Sequence, residues 1–311
     1  MGPRVTVILP VYNGMPHLPR AVESILNQTF VDFTLTIVND GSTDGSADYL
    51  DTLKDPRVVR INQVNAGQGA ARNAALFQSR SDYIAVMDQD DISQPARLSS
   101  QVEYLDAHPE VVLVGTQIEF LIGDKRQRAL PTPLHHEEIE ARLLNGRAGI
   151  CHPSLMYRTA AAIACGGYPN GVFGEDIDFC LRMLEHGRGA NLESVLFQYR
   201  LHAAQASLAR CRELISANCY AAYRATCRRD GKEAAPLSTY IQGAPLTTRL
   251  RWFLEAWELI QYRTARIEIA GGKRFRGMVR LALIGFSRPL TSLKRAASAL
   301  RSATSGPQKT S

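Results

Sequence analysis

Between residues 4 and 93, strand-like and helical spacing alternate four times, and that rhythm leaves few folds open. The run "RVTVILP" (4–10) is apolar, partly β-branched and closed by a proline, as a buried strand requires. After the turn at Asn13-Gly14, Leu18, Ala21, Val22, Ile25 and Leu26 recur at helical spacing. "FTLTIVND" (33–40) predicts a second strand, and Gly41-Ser42 opens a helix through "TDGSADYLDTL". Residues 58–62 predict a third strand, "GQGAARNAALFQS" a third helix and "DYIAVMD" a fourth strand. A chain patterned this way is expected to fold as α/β, a mostly parallel sheet with helices on both faces.

Beyond residue 95 the alternation weakens. "PARLSSQVEYLDAH" predicts a helix, "EVVLVGTQIEF" a strand, 123–134 a charged, proline-containing loop, and 136–145 another helix. Then come a strand at "PSLMY", a short helix, the turn "GGY", a helix opening at "GEDIDFCLRMLEHG" and a strand at "SVLFQYRLH". From Ser207 the pattern is helical throughout, and the last ten residues are expected to be disordered.

In parallel sheets, ligands sit beyond the carboxyl ends of the strands. Three polar clusters fall there: Tyr12-Asn13, Asn39-Asp40 and Asp88-Gln89-Asp90-Asp91. The last concentrates three carboxylates behind "IAVM", where each makes the others harder to ionise and a positive partner is needed. Such acids suit Mg²⁺ or Mn²⁺, which commonly take one or two carboxylates plus substrate phosphates. The plain alternative is an acidic turn in which Asp91 or Ser93 caps the helix of "QPARLSSQ".

Charge is distributed unevenly. The net charge is +6, but nine of the 36 basic residues follow Glu268 with no acid among them, leaving 27 basic against 30 acidic before that point. Nucleic-acid binding across the surface is therefore disfavoured, and a C-terminal electrostatic anchor is preferred. No run of eighteen apolar residues and no signal-peptide pattern appears, and six scattered cysteines lack a CxxC pair, so a cytoplasmic location is expected.

"VTVILPVYNG", "TIVNDGSTDGS", "NAGQGAARNAAL", "YIAVMDQDDIS" and "GGYPNGVFGEDIDFCLR", in this order, resemble the family 2 inverting glycosyltransferases of the GT-A fold, over roughly residues 4–202. The resemblance implies that Pro10 and Tyr12 line a nucleotide base and that Asp40 accepts a hydrogen bond from a uracil ring N–H. It implies a basic residue, Arg72, near base and phosphates, with Asp91 in the same donor-binding cluster. Asp88 and Asp90 match a DxD pair, with Asp90 as the direct metal ligand and Asp88 nearer the ribose. In the same way Asp176 would be the general base, Glu175 and Tyr168 would face the acceptor, and His202 would complete the metal shell. His152, in "CHPSLMYR", is assigned to packing. Asn39 stands where relatives often carry an aspartate, and Gln89 fills the variable centre of DxD.

The domains expected are a GT-A domain over 1–206, a helical extension over 207–270 and a basic tail over 271–311. In the tail Phe275, Met278, Val279, Leu281, Leu283, Ile284 and Phe286 form no clean helical stripe, yet apolar residues among positive charge suit an anionic membrane at the inner face of the cell. A basic helix packed on the catalytic domain is the competing expectation. The activity expected is metal-dependent, inverting transfer from a nucleotide-sugar, a UDP-sugar above all, to a glycan or lipid-linked saccharide in cell-surface polysaccharide synthesis. The rivals are an inactive nucleotide-sugar-binding subunit and a nucleotidyltransferase. Against the latter, "PVYNGMPHLPR" lacks a glycine-rich, lysine-bearing phosphate loop.

Overall fold

The computed structural model describes residues 2–169, 174–202 and 205–287. Residues 170–173 of the "GGYPNGVFGED" stretch and the tail from 288 onward, including Arg288, Lys294, Arg295, Arg301 and Lys309, lie outside the described residues. The chain forms two compact units, one of 1–117, 132–197 and 217–234, the other of 118–131, 198–216 and the chain from 235.

The first unit opens with β1 (Val5–Val11), α1 (Leu18–Leu26), β2 (Phe33–Asp40), α2 (Ser46–Thr52), β3 (Val58–Gln63), α3 (Gln68–Leu76) and β4 (Tyr83–Val86). It continues with β5 (Ile92–Ser93), α4 (Arg97–Ala107) and the start of β6 (Val111–Ile122). β1 pairs in parallel with both β2 and β4, and β2 with β3, giving the order β3-β2-β1-β4. β1 is therefore central and buried at every position, whereas β3 lies at the edge and has only part-buried and exposed residues.

After β7 (Lys125–Arg128) come α5 (His136–Leu144), a 3-10 turn at His152–Ser154, β8 (Met156–Arg158), α6 (Thr159–Ala164), α7 (Glu175–Met183) and β9 (Arg188–Arg200). β8 runs antiparallel to β4 and β6, extending the sheet to the full order β3-β2-β1-β4-β8-β6-β9-β5. A core that includes Ile8, Val38, Ala71, Ile84, Val86, Leu155, Phe179 and Leu181 joins sheet and helices. Each fully buried Ile, Leu or Val contributes about 1.5–3 kcal/mol.

Two elements differ from the sequence expectation. The region 123–134, expected as loop, contains β7, which folds back on β6 with Ile122 opposite Lys125 across Gly123-Asp124. Gly123 adopts φ 58°, the left-handed geometry a two-residue hairpin turn needs. Its strand was hidden because "KRQR" carries no apolar alternation. The helix of "QPARLSSQ" begins with Ala96 as N-cap and no side-chain cap, so neither Asp91 nor Ser93 caps it. Ser93 instead lies in β5, its hydroxyl accepting from Gln28 Nε2 at 3.1 Å.

The second unit is chiefly helical, with α8 (Ala206–Ala209), the start of α9 (Cys211–Arg229), α10 (Leu237–Gly243), α11 (Leu246–Ala270) and α12 (Arg274–Ser287). α11 and α12 pack through Tyr262, Ala265, Leu281 and Ile284.

Candidate active site

Strand order reverses at β1, whose two neighbours β2 and β4 lie either side of it, and the crevice at such a switch point is where open α/β sheets bind ligands. Local hydrogen bonds fix the loops there. Asn13 Oδ1 accepts from Thr43 N (2.8 Å) and Gly14 N donates to Ser46 Oγ (2.9 Å), joining the loops after β1 and β2. The Gln89 amide grips the β1 end from the other side: its Oε1 accepts from Tyr12 N (2.8 Å) and its Nε2 donates to Tyr12 O (3.0 Å). Tyr12 is left 48% exposed, its ring available for stacking.

Asp40, at the end of β2, is buried. Its Oδ1 accepts from Gln63 Nε2 (2.7 Å) and Ala66 N (2.8 Å), its Oδ2 from Gly67 N (2.9 Å). With about four lone-pair sites on a carboxylate, these contacts leave room for one further donor.

The positive partner demanded by the acid-rich turn is Arg72. Helix α3 packs on β1 and β2 and buries this side chain almost completely. Its guanidinium donates through Nη1 to Glu175 Oε1 (2.7 Å) and Asp176 Oδ1 (3.3 Å), and through Nη2 to Asp88 Oδ1 (3.1 Å). Burial opposes the charge, but Asp88, Asp176 and Glu175 outweigh it and raise the Arg72 pKa. One cation faces three carboxylates. Asp88 shows the excess of negative charge: burial, then the charges of Asp90 and Asp176, push its pKa up to about 6 despite Arg72.

Gly174, at φ 81°, turns the chain into α7, and Glu175 and Asp176 occupy its first turn, where the helix dipole favours acids. Asp176 remains 41% exposed. Its Oδ1 faces Arg72 and, at 3.6 Å, Nδ1 of His152, while its pKa is raised by burial against the pull of Arg72. His152 Nε2 lies 3.1 Å from the Tyr168 hydroxyl, and burial followed by Arg72 lowers the imidazole pKa, so the ring is neutral.

Tyr168, expected on the acceptor side, is only 2% exposed. It stacks on Phe179 with centroids 4.0 Å apart, and its backbone is clamped by Asn73, whose Oδ1 accepts from Tyr168 N and whose Nδ2 donates to Tyr168 O, both at 2.8 Å. Gly167 (φ 69°) makes that approach possible, since a Cβ there would meet Asn73 Oδ1 at 2.5 Å. Glu175 is likewise buried against Arg72 rather than facing outward, and Asp91 is fully buried behind the turn. Pro10 is buried within β1. His202 follows β9 in the second unit and is part-buried there.

Sequence reasoning missed the supporting roles of three residues, because each acts through a distant backbone partner or through a side chain reached only in the fold. Gln89 bridges to β1, and Asn73 holds the "GGY" turn. Arg97, wholly buried, donates to Val86 O (2.6 Å), Leu155 O (3.1 Å) and Gln101 Oε1 (3.1 Å), which fixes the end of β4 just before Asp88. Burial depresses its pKa to about 9.

Asp88 and Asp90 are both part-exposed and offer hard oxygen donors in a cluster short of positive charge, which fits a divalent cation. Among the described residues no three His, Cys, Asp or Glu side chains are grouped to hold a metal unaided. The fit is to an ion that shares its shell with a bound phosphate.

A parallel sheet with acids gathered at its switch point is the frame of the GT-A glycosyltransferases, and solved structures agree. The crystal structure of S. aureus TarS 1-349 in complex with UDP-GlcNAc aligns with a TM-score of 0.58 at 16% identity, over 92% of each chain. The mannosyltransferase PcManGT from Pyrobaculum calidifontis, in complex with GDP-Man and Mn²⁺, aligns with a TM-score of 0.56 at 18% identity, over 96% of this chain and 81% of that one. The chain belongs to glycosyl transferase family 2, whose model matches residues 6–166, and it is a transferase enzyme. EpsE of Bacillus subtilis (strain 168), which carries the name of a glycosyltransferase, is 34% identical over 86% of this chain and 95% of its own length. The O-antigen biosynthesis glycosyltransferase WbnJ of Escherichia coli is 34% identical over 64% of this chain and 80% of its own.

Proposed function

We propose that the protein is a metal-dependent, inverting glycosyltransferase that moves one sugar from a UDP-sugar to a hydroxyl of a glycan or lipid-linked saccharide in cell-surface polysaccharide assembly. The observation that carries this reading is the Arg72-centred cluster, which brings Asp88, Glu175 and Asp176 together at the switch point. The name of WbnJ supports the polysaccharide setting, and the ligands of TarS and PcManGT support a nucleotide-sugar and a divalent cation.

In this reading Tyr12 packs on the base above Pro10, Asp40 accepts the ring N–H, and Asp88 reaches the ribose. Asp90, with Asp88, would hold Mn²⁺ or Mg²⁺, whose positive charge would stabilise the leaving diphosphate. His202 as a completing ligand rests on the family resemblance. Asp176 acts as base. Its Oδ1 is held by Arg72, with His152 Nδ1 3.6 Å away, and Oδ2 takes the proton of the acceptor hydroxyl. The acceptor oxygen bonds to the anomeric carbon from the face opposite the departing diphosphate, so a single base suffices and the configuration inverts. Buried Glu175 holds Arg72 in place instead of touching the acceptor.

The 1–206 catalytic domain, 207–270 extension and 271–311 tail are kept as the functional division. No described helix is long and apolar enough to cross a membrane. Peripheral attachment at the inner face of the cell membrane, through the basic residues after Glu268, brings the enzyme to lipid-linked acceptors.

Calorimetric titration with UDP, GDP and TDP, with and without Mn²⁺, tests the donor site. Mn²⁺-dependent binding that prefers UDP is expected. Preference for another diphosphate overturns the UDP assignment, and no binding to any of them overturns the metal–diphosphate reading of the acid cluster.

A further inference from the structure

We infer that α12 lies on an anionic bilayer through the face made by Phe275, Met278, Val279 and Leu283. The inference deepens the membrane attachment proposed above and rests on it for the sign of the lipid charge.

Helix α12 has two apolar faces. One is used by α11: Leu281 and Ile284 are buried against Tyr262 and Ala265. Gly277 permits the close approach, because a Cβ there would come within 2.5 Å of Ile269 Cγ1 and 2.8 Å of Ala265 O. Among the described residues the other face is bare. Phe275 is 82% exposed, Met278 and Val279 are each 43% exposed, and Leu283 is 49% exposed. Positions separated by three, four and eight residues share one side of a helix. The sequence showed no clean stripe because the buried and exposed apolar sets are interleaved along the chain.

The charge around the bare face has one sign. Lys273, Arg274 and Arg276 are exposed. Arg280 is turned to α11, its Nε donating to Glu268 Oε2 at 3.0 Å, and Glu268 is the last acid in the chain. The 24 residues from Arg288 onward carry five basic residues and no acid, so their charge repels this face rather than matching it. An apolar stripe whose exposed charged neighbours at the start of α12 are Lys and Arg suits acyl chains beneath anionic headgroups.

The test is flotation of the full chain with vesicles of phosphatidylcholine alone, or with roughly a third phosphatidylglycerol. Binding that requires phosphatidylglycerol is expected, and a variant combining Phe275→Ser, Met278→Ser, Val279→Ser and Leu283→Ser should lose it at least about tenfold. These side chains are exposed, so the variant should keep its circular dichroism spectrum and melting temperature. Parent-like flotation of that variant overturns the inference. If instead only a variant with Arg288, Lys294, Arg295, Arg301 and Lys309 all changed to Gln loses binding, attachment by the tail survives and the helix face does not. A parent that fails to float, or binds both vesicles equally, overturns both. A parent that is dimeric where the four-serine variant is monomeric, without flotation, makes the face a contact between copies.

Discussion

His152 Nδ1 lies 3.6 Å from Oδ1 of Asp176, a side chain 24 residues further along the chain. The ring is neutral and buried, so it presents one N–H and one lone pair. A carboxylate opposite Nδ1 favours the proton there, and Nε2 then faces the Tyr168 hydroxyl at 3.1 Å. Arg72 donates to that same oxygen of Asp176 at 3.3 Å, while buried Nδ1 points at it from just beyond hydrogen-bond distance and has no other hydrogen-bond partner among the described residues. His152, assigned to packing from its sequence, thus stands in direct line with the proposed base.

Replacing His152 by Ala should lower turnover roughly ten- to hundredfold while leaving UDP affinity unchanged. Loss of the Nδ1–H dipole beside ionised Asp176 should also raise the acidic limb of the kcat/KM profile. His152→Asn, which can return an N–H near Nδ1, should recover part of both. An acidic limb that stays in place in the Ala variant means that His152 only packs.

Asp176→Asn should reduce kcat by about 10²–10⁴ and spare donor binding. Because burial raises the Asp176 pKa, the base loses its ionised form, and the enzyme its activity, at a higher pH than an ordinary carboxylate would. Near-normal turnover in the Asn variant, measured with any donor it binds, removes Asp176 from the mechanism.

Arg72→Met should cost about 3–5 kcal/mol of stability at pH 7, since it leaves three acids without their shared cation. The cost should shrink as the pH falls and the acids protonate. Arg72→Lys should not restore stability, because one ammonium cannot reproduce the fork to Asp88 and Glu175. Urea denaturation at pH 7 and pH 5 measures both effects.

Asp88 predicts a gain of stability on mutation. Its folded pKa of about 6 exceeds the ordinary 3.8, so its contribution is present below 3.8 and lost as pH rises through 6. Asp88→Asn, in chelator, should therefore raise the melting temperature by about 2–4 °C at pH 7, and by less at pH 5. The same variant should lose metal-dependent UDP binding. A melting temperature equal to or below the parent's at pH 7 contradicts the charge excess inferred for this turn.

The sequence by itself determined the strands and helices of the first ninety or so residues and put polar clusters at the strand ends, because periodicity and turn residues act locally. It also determined that the acids after β4 needed a cation. Spacing alone did not single out Arg72, which only the family resemblance set near the base and phosphates. Arg72 reaches Glu175 across 103 positions, and that pairing exists only once α3 and α7 are both packed. Tertiary burial likewise withdrew Tyr168, Glu175 and Asp91 from the surface, and it turned His152 toward Asp176. In α12 the packing of Leu281 and Ile284 on α11 decided which apolar residues remained in water. Local pattern encodes backbone conformation, whereas partner choice depends on desolvation and distance between segments remote in sequence, which only the assembled core sets.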